Sequence, residues 1–534
     1  MSTQWTACLR GILMLGLCLA FGATVSVALG QDISWDAKNY HLYNAWAFLH
    51  GRTQDLAAAG MQSYFNPLPD VPYFWLAQGP LQHWPRLLAA LQGLWFGALV
   101  FLVFRIAAQL AHLQGRRFDM ADACAAVIGA TGSMAVSQAG STTNEVPLAV
   151  LLLLGLYLLM PLMAEPGRSG SWRRALVAGL CSGLAAGLKP TAIVFPPAMA
   201  LALLLALGVR QGSAWRVTAT YAAGAAFAFL VSYGPWGWHL YAQTENPVFP
   251  LFNQFFHSPL TAATGGTDGQ FRPRNAMQWL FYPFYWMGKQ RGIVTEPVFA
   301  DPRYALAMVA MISLAVAHWL RREGVDRGLR FLMVFVGAGY ILWMGLFSIL
   351  RYAIPLEALT GILMLAAIRA WWPRRWRQSW TVPAVSTALL LAILATTTYP
   401  SWWRSPYAHR IFDVTVAPVE PGSLVIFAGS PDAYLAPMFP NADQLSFVGL
   451  TWFVRASQGH GLWDMVQQRL RTHDGPRYVV LRDDQSNAPE AALLETMLPG
   501  YSAEGCHNID SNLERGRRDK NYAMGLRLCR LATK

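Results

Sequence analysis

Residues 146–163 read VPLAVLLLLGLYLLMPLM, eighteen positions without one charge, too long and too evenly apolar for a strand. A helix needs about 20 such residues to cross the hydrocarbon core of a bilayer, so this stretch decides the class of the molecule. Comparable stretches lie at 9–30, 85–104, 120–140, 175–188, 191–208, 217–238, 305–320, 331–350, 353–370 and 381–399, which makes eleven expected spans. The one at 175–188 is short and ends at Lys189-Pro190, so it is expected to be broken or fused with its neighbour into a hairpin. Of 534 residues, 54% are hydrophobic and 13% charged, where soluble domains carry about 25% charge. That excludes an ordinary cytosolic enzyme, and so much apolar material excludes a disordered chain.

Charge orients the spans. Basic residues outnumber acidic ones 27 to 15 through Thr398 and equal them, 14 to 14, beyond it, so the surplus belongs to the apolar part. With 36 Arg and 22 Trp it points to membrane-interface anchoring and phosphate-rich surroundings and not to nucleic acid. One set of loops carries Arg105, Arg116, Arg117; Arg168, Arg173, Arg174; Arg210, Arg216; Arg321, Arg322, Arg327, Arg330; and Arg369, Arg374, Arg375, Arg377. The positive-inside rule places this set in the cytoplasm. The N-terminus is then cytoplasmic, and loops 31–84 and 239–304 and everything after Tyr399 lie outside, as in a multi-pass protein of a bacterial inner membrane. Ala28-Leu29-Gly30 has the small residues of a signal-peptidase site, though the apolar stretch before it is long for a signal.

The expected fold is a mostly α, polytopic membrane bundle at 1–399 with a small soluble α/β domain at 400–534. In the tail, LVIFA (424–428) and YVVL (478–481) read as buried strands, 461–470 and 489–497 as amphipathic helices, and 501–506 with 526–531 as a terminal strand pair. Cys8, Cys18, Cys124 and Cys181 fall in or beside spans, whereas Cys506 and Cys529 are the two in the tail. An oxidising outer compartment predicts that those two pair. There is no CxxC, HExxH, GxxxxGK[ST] or GxGxxG, so zinc chemistry, nucleotide hydrolysis and dinucleotide redox work have no support.

Four places could carry chemistry. WDAKNYHLYNAWAFLHG (35–51) reads as a helix lying along the membrane surface, with Asp36, Asn39, Tyr40 and Tyr43 on one face and His41 adjacent. A carboxylate beside an apolar surface makes a better general base. Lys189 in GLKPT, at the junction of two apolar segments, either snorkels to the headgroups or holds a lipid phosphate. Arg351-Tyr352 sits where the positive-inside rule gives no reason for an Arg; the guanidinium suits phosphate, lipid headgroups or Glu357. Glu145 in STTNE orients a sugar hydroxyl or divalent ion, or caps the following helix. Asp70, Arg291 and His239 are weaker candidates. The aromatic loops SYFNPLPDVPYFW (63–75) and NPVFPLFNQFF (246–256) and the Gly/Thr-rich stretch 261–269 complete an outer surface suited to a ligand with a lipid tail, a phosphate and a polar headgroup.

Over about its first 400 residues the chain resembles the GT-C class of membrane glycosyltransferases, nearest to GT87/GT39-type members. The likeness is carried by Asp36 in WDAKNYH, SYFNPLPD, STTNE, GLAAGLKPTA, NPVFPLFN and LRYAIP. It implies inverting sugar transfer on the outer face, from a polyprenyl-phosphate-linked sugar to a glycan, lipid or protein hydroxyl. Asp36 would be the base and Lys189 and Arg351 would steady the phosphate; a second acid would be Asp32 or Asp70. No cofactor is implied with certainty; a divalent metal is possible in the class. The alternatives are a transporter or flippase for lipid-linked glycans, a non-catalytic assembly protein, and a ligase or polymerase of O-antigen.

Overall fold

A computed structural model describes residues 2–165, 170–264, 269–322, 324–373, 379–482, 488–515 and 525–533. Arg168, Arg374, Arg375 and Arg377 of the basic set, and 265–268 of the Gly/Thr-rich stretch, lie outside the described residues. Every expected apolar segment is helical, and the chain is a multi-pass membrane protein. Among the described residues seven helices are long and apolar enough to cross a membrane: Leu9–Leu29, Pro85–Leu113, Glu145–Met163, Pro190–Leu207, Gly212–Thr244, Arg303–Arg321 and Arg327–Leu346. An eighth arises if Leu350–Glu357 and Thr360–Trp371, bent by 45°, count as one. Met120–Ala130 and Thr381–Thr396 are apolar but shorter.

One expected span is broken, and the helix over 175–188 ends, for visible reasons. The segment 120–140 divides into Met120–Ala130 and Ser133–Ser137. The free amides that open the second helix are capped by side chains from elsewhere: Ser133 N donates to Asp301 Oδ2 (3.0 Å), and Met134 N and Ala135 N donate to Glu357 (3.0 and 3.1 Å). A Cβ at Gly132 would overlap the Glu357 carboxylate. Glu357 therefore serves this cap and not Arg351. At the other break, Pro190 disfavours helical geometry in the residue before it; Lys189 is extended (φ −141°, ψ 110°), ending the helix Ser171–Leu188.

Two short strands, β1 Gln31–Asp32 and β2 Arg404–Ser405, form a ladder of their own; the tail forms a six-stranded mixed sheet of order β3-β7-β8-β6-β4-β5, with β3 Val414–Thr415, β4 Leu424–Phe427, β5 Ser446–Gly449, β6 Arg477–Arg482, β7 Tyr501–Ser511 and β8 Leu526–Thr533. β4 is parallel to β5 and β6, whereas β8 is antiparallel to β6 and β7. The expected strands and helices are present, and Cys506 and Cys529 are joined.

The tail does not build its core alone. Ile33, Tyr40, Leu42, Tyr43, Trp46 and Phe74 of the 31–84 segment share one apolar cluster with Val425, Phe427, Leu435, Phe447, Val480 and Leu528. Leu56 bridges to Val448 and covers the open edge of β5, where unpaired backbone groups would otherwise invite aggregation. Gln31–Asp32 pairs with Arg404–Ser405, tying the two ends together. The stretch 35–51 is thus clamped between sheet and bundle, with Ala45 and Trp46 buried, and does not lie on a membrane surface.

The first helix packs against Pro85–Leu113 through Gly22, Gly93 and Gly97, whose hydrogens face backbone; a Cβ on Gly97 would overlap the Cys18 carbonyl. Gly97→Leu is therefore expected to destabilise the purified protein by about 1–3 kcal/mol or more through overpacking. Gly345→Leu, where nothing lies within 4 Å, leaves the thermal midpoint unchanged.

Candidate functional site

Asp36 precedes a π-helical turn, Ala37–His41. In an α-helix, at about 100° per residue, His41 would stand roughly 140° from Asp36. The wider i→i+5 turn brings it round toward the side of Asp36 and Tyr40, and such turns recur at functional sites. This changes the expected face. Asn39 donates to Ala59 O (3.1 Å) and Gln62 Oε1 (3.3 Å), and the Tyr43 hydroxyl donates to Asp55 Oδ2 (3.0 Å), so both serve the packing of the 31–84 segment. Burial first, then the charge of Asp36, push the Tyr40 phenol well above its usual range, which keeps it a neutral hydroxyl.

Four charged side chains from distant parts of the chain form one cluster. Asp36 Oδ2 lies 2.9 Å from Arg351 Nη1, an ion pair that lacks hydrogen-bond alignment and leaves this oxygen otherwise unsatisfied. Arg351 Nε is 3.7 Å from Glu145 Oε1, which is 2.6 Å from Lys189 Nζ. Lys189 Nζ also donates to the Thr143 carbonyl at 2.8 Å. Two acids and two cations therefore cancel, with no side chain more than 13% exposed. The Arg351 guanidinium sits over the rings of Tyr352 (5.6 Å) and Trp402 (5.5 Å), and Lys189 over Tyr352 (5.7 Å).

His41 and Asp70 flank this cluster. His41 Nδ1 lies 2.6 Å from Asp70 Oδ1, which also accepts from Asn144 Nδ2 at 2.6 Å. A carboxylate only accepts, so Nδ1 carries a proton and the ring is held with Nε2 turned away from Asp70. Asn144 is left-handed (φ +67°), a conformation Asn tolerates, and the next residue, Glu145, opens the helix Glu145–Leu159. Asp32 orders the same loop, accepting from Thr142 N (2.8 Å) and Oγ1 (2.9 Å). His239 and Arg291 are exposed.

His41 Nε2, Glu145 Oε2 and Arg351 Nε are buried without a hydrogen-bond partner. Buried polar atoms are normally satisfied, so the site is built to receive polar groups. From Glu145 and Tyr352 a shallow apolar groove is lined by Leu148, Ala149 and Leu152, with Ala192, Phe195 and Pro355 as its other walls. The spacing i, i+3, i+4, i+7 sets Glu145, Leu148, Ala149 and Leu152 on one helix face over about 10 Å. Among the described residues no group of three His, Cys, Asp or Glu side chains could hold a metal ion, so no step is derived through one. Thr143 and Trp402 join the site without having been singled out for it; the aromatic pair in SWWR just after the last apolar stretch was the available sign of Trp402.

No family model and no curated protein matches the sequence. Among solved structures the chain is similar to ArnT. The apo structure of ArnT from Cupriavidus metallidurans gives a TM-score of 0.47 at 12% identity, covering 99% of this chain and 98% of that one. The undecaprenyl phosphate-bound structure of ArnT gives 0.43 at 16% identity over 73% of this chain, which spans 64% of the length of that one. The chain is also similar to the arabinofuranosyltransferase AftD from Mycobacteria, with a TM-score of 0.42 at 16% identity, covering 95% of this chain and 39% of that one.

Lys189→Met strands the Glu145 carboxylate in a buried place, with Arg351 still nearby. The expected loss is about 3 kcal/mol in unfolding free energy, the lower end for a broken buried pair. Adding Glu145→Gln should restore most of it, and equal losses in the single and double variants would show that the pair is not coupled.

Proposed function

We propose that the protein is a membrane glycosyltransferase that moves a sugar from a polyprenyl-phosphate carrier to an acceptor hydroxyl, inverting the anomeric configuration. The observation that carries this reading is the neutral cluster Asp36–Arg351–Glu145–Lys189 at the head of an apolar groove. A lipid phosphate is an anion with an aliphatic tail. Its oxygens suit the fork of Arg351 and the ammonium of Lys189, and its tail suits Leu148, Leu152 and Phe195.

In this reading the phosphate takes over the cations that Asp36 and Glu145 otherwise neutralise. Asp36, released from Arg351, accepts the proton of the acceptor hydroxyl as that oxygen attacks the anomeric carbon. The bond from the anomeric carbon to the phosphate oxygen breaks, and its electron pair leaves with the polyprenyl phosphate. The phosphate is a stabilised leaving group held by two cations, so no nucleotide site is needed. Tyr40 donates a hydroxyl, Tyr352 braces the cations, and His41, oriented by Asp70, offers Nε2 to a substrate hydroxyl. The module at 1–399 would carry the chemistry. The Arg-rich loops would face the cytoplasm and the site and the 400–534 tail the outside of a bacterial inner membrane, with the tail open to acceptor recognition.

Asp36→Asn tests this directly. In membranes supplied with polyprenyl-phosphate-linked sugar, transfer should fall by about a hundredfold or more, with undecaprenyl phosphate binding and expression retained. Undiminished transfer would remove Asp36 from the chemistry. Movement of the lipid-linked sugar across vesicles without product, in the native protein, would favour a carrier instead.

A further inference from the structure

The tail reaches the π-turn through a second buried ionic network. Lys38 stands two residues after Asp36, and its Nζ lies 3.0 Å from Glu514 Oε2. Arg482, at the end of β6, holds Glu514 with Nη1 at 2.7 Å from Oε2 and Nη2 at 3.1 Å from Oε1. The Tyr434 hydroxyl donates to Glu514 Oε1 at 3.0 Å. Arg482 is in turn gripped by Asp432, at 2.6 Å from Nη2 and 3.0 Å from Nε. Two cations and two acids again cancel, and their side chains are 12% exposed or less.

Well-packed apolar side chains would stabilise such a place as well as buried ions do, because desolvation offsets the attraction. What ions add is direction: each charge has one place to go. Lys38 points to the tail and Asp36 to the bundle, so the π-turn is fixed from both sides. Burial alone would raise the Glu514 carboxyl, but Lys38 and the hydrogen bonds from Arg482 hold it at about 2, below its usual 4.5. Its contribution is thus complete above pH 4.5 and is lost only as pH falls through about 2.

We infer that Glu514, clamped by Arg482, is a positioning residue that sets the rotation of the turn carrying Asp36, acting through Lys38. The tail is then a working part of the site and not an appendage. The inference rests on the glycosyltransferase reading only for its kinetic consequence; the tether itself is testable without it.

The test uses the full chain in bilayer nanodiscs, as native protein, Glu514→Gln, Lys38→Met and Lys38→Arg. Hydrogen exchange of residues 36–41 is read beside that of β6, β8 and Glu145–Leu159. Transfer from polyprenyl-phosphate-linked sugar in a host membrane extract is read per undecaprenyl phosphate bound. In Glu514→Gln and Lys38→Met, exchange at 36–41 should rise about tenfold or more, with the strands and the helix still protected. Transfer per bound lipid should fall between about tenfold and a hundredfold, as for a small misplacement of a reacting group. Lys38→Arg should keep most of both. Unchanged exchange at 36–41 in both single variants would overturn the tether, and loosened exchange with undiminished transfer would overturn the positioning role. No transfer by the native protein, with exchange behaving as expected, would sink the enzymatic reading and leave the tether standing.

Discussion

A buried cation must be neutralised, and here two of them are. Arg351 and Lys189 are answered by Asp36 and Glu145, and these partners come from four separate stretches of the chain. The backbone that presents them has its own local causes: Pro190 stops the helix before Lys189, the loop 141–145 turns through a left-handed Asn144, and a short helical turn at Leu350–Ala353 carries Arg351. Removing one charge leaves its partner uncompensated in a poorly solvated place, which is why the four behave as a unit.

Under the proposed function the same arrangement would make the site both stable by itself and receptive to an anion. A phosphate taken up by Arg351 and Lys189 would exchange one set of charge-assisted contacts for another. The exchange would also change what Asp36 is free to do. Proton acceptance and phosphate binding would thereby be linked through one guanidinium, without a moving domain.

The spans were legible because length and apolarity are local properties, and the break at Lys189-Pro190 was legible because a proline acts locally too. Asp36, Glu145, Lys189 and Arg351 each stood out singly, since a charge beside an apolar run is conspicuous. Their pairing was not legible: nothing local relates position 36 to position 351, and Glu357 was the nearer acid for Arg351. The π-turn was equally hidden. A 3.6-residue period puts Asn39 and Tyr43 beside Asp36, and one extra residue in the turn replaces them with His41. Asp432, Arg482 and Glu514 were missed because their purpose lies in Lys38, more than 390 residues away; Arg482 ending an otherwise apolar strand was the available sign. The tail read as self-sufficient because its strands are apolar, and the sequence carries no mark of a core completed by Trp46 and Phe74.

A structure of the full chain in nanodiscs with undecaprenyl phosphate would test the central claim most directly. The account predicts the phosphate within hydrogen-bond reach of both Lys189 Nζ and the Arg351 guanidinium, the first isoprene units along Leu148, Leu152 and Phe195, and Asp36 no longer paired with Arg351. Lipid phosphate bound elsewhere, with Asp36–Arg351 and Glu145–Lys189 intact, would contradict it.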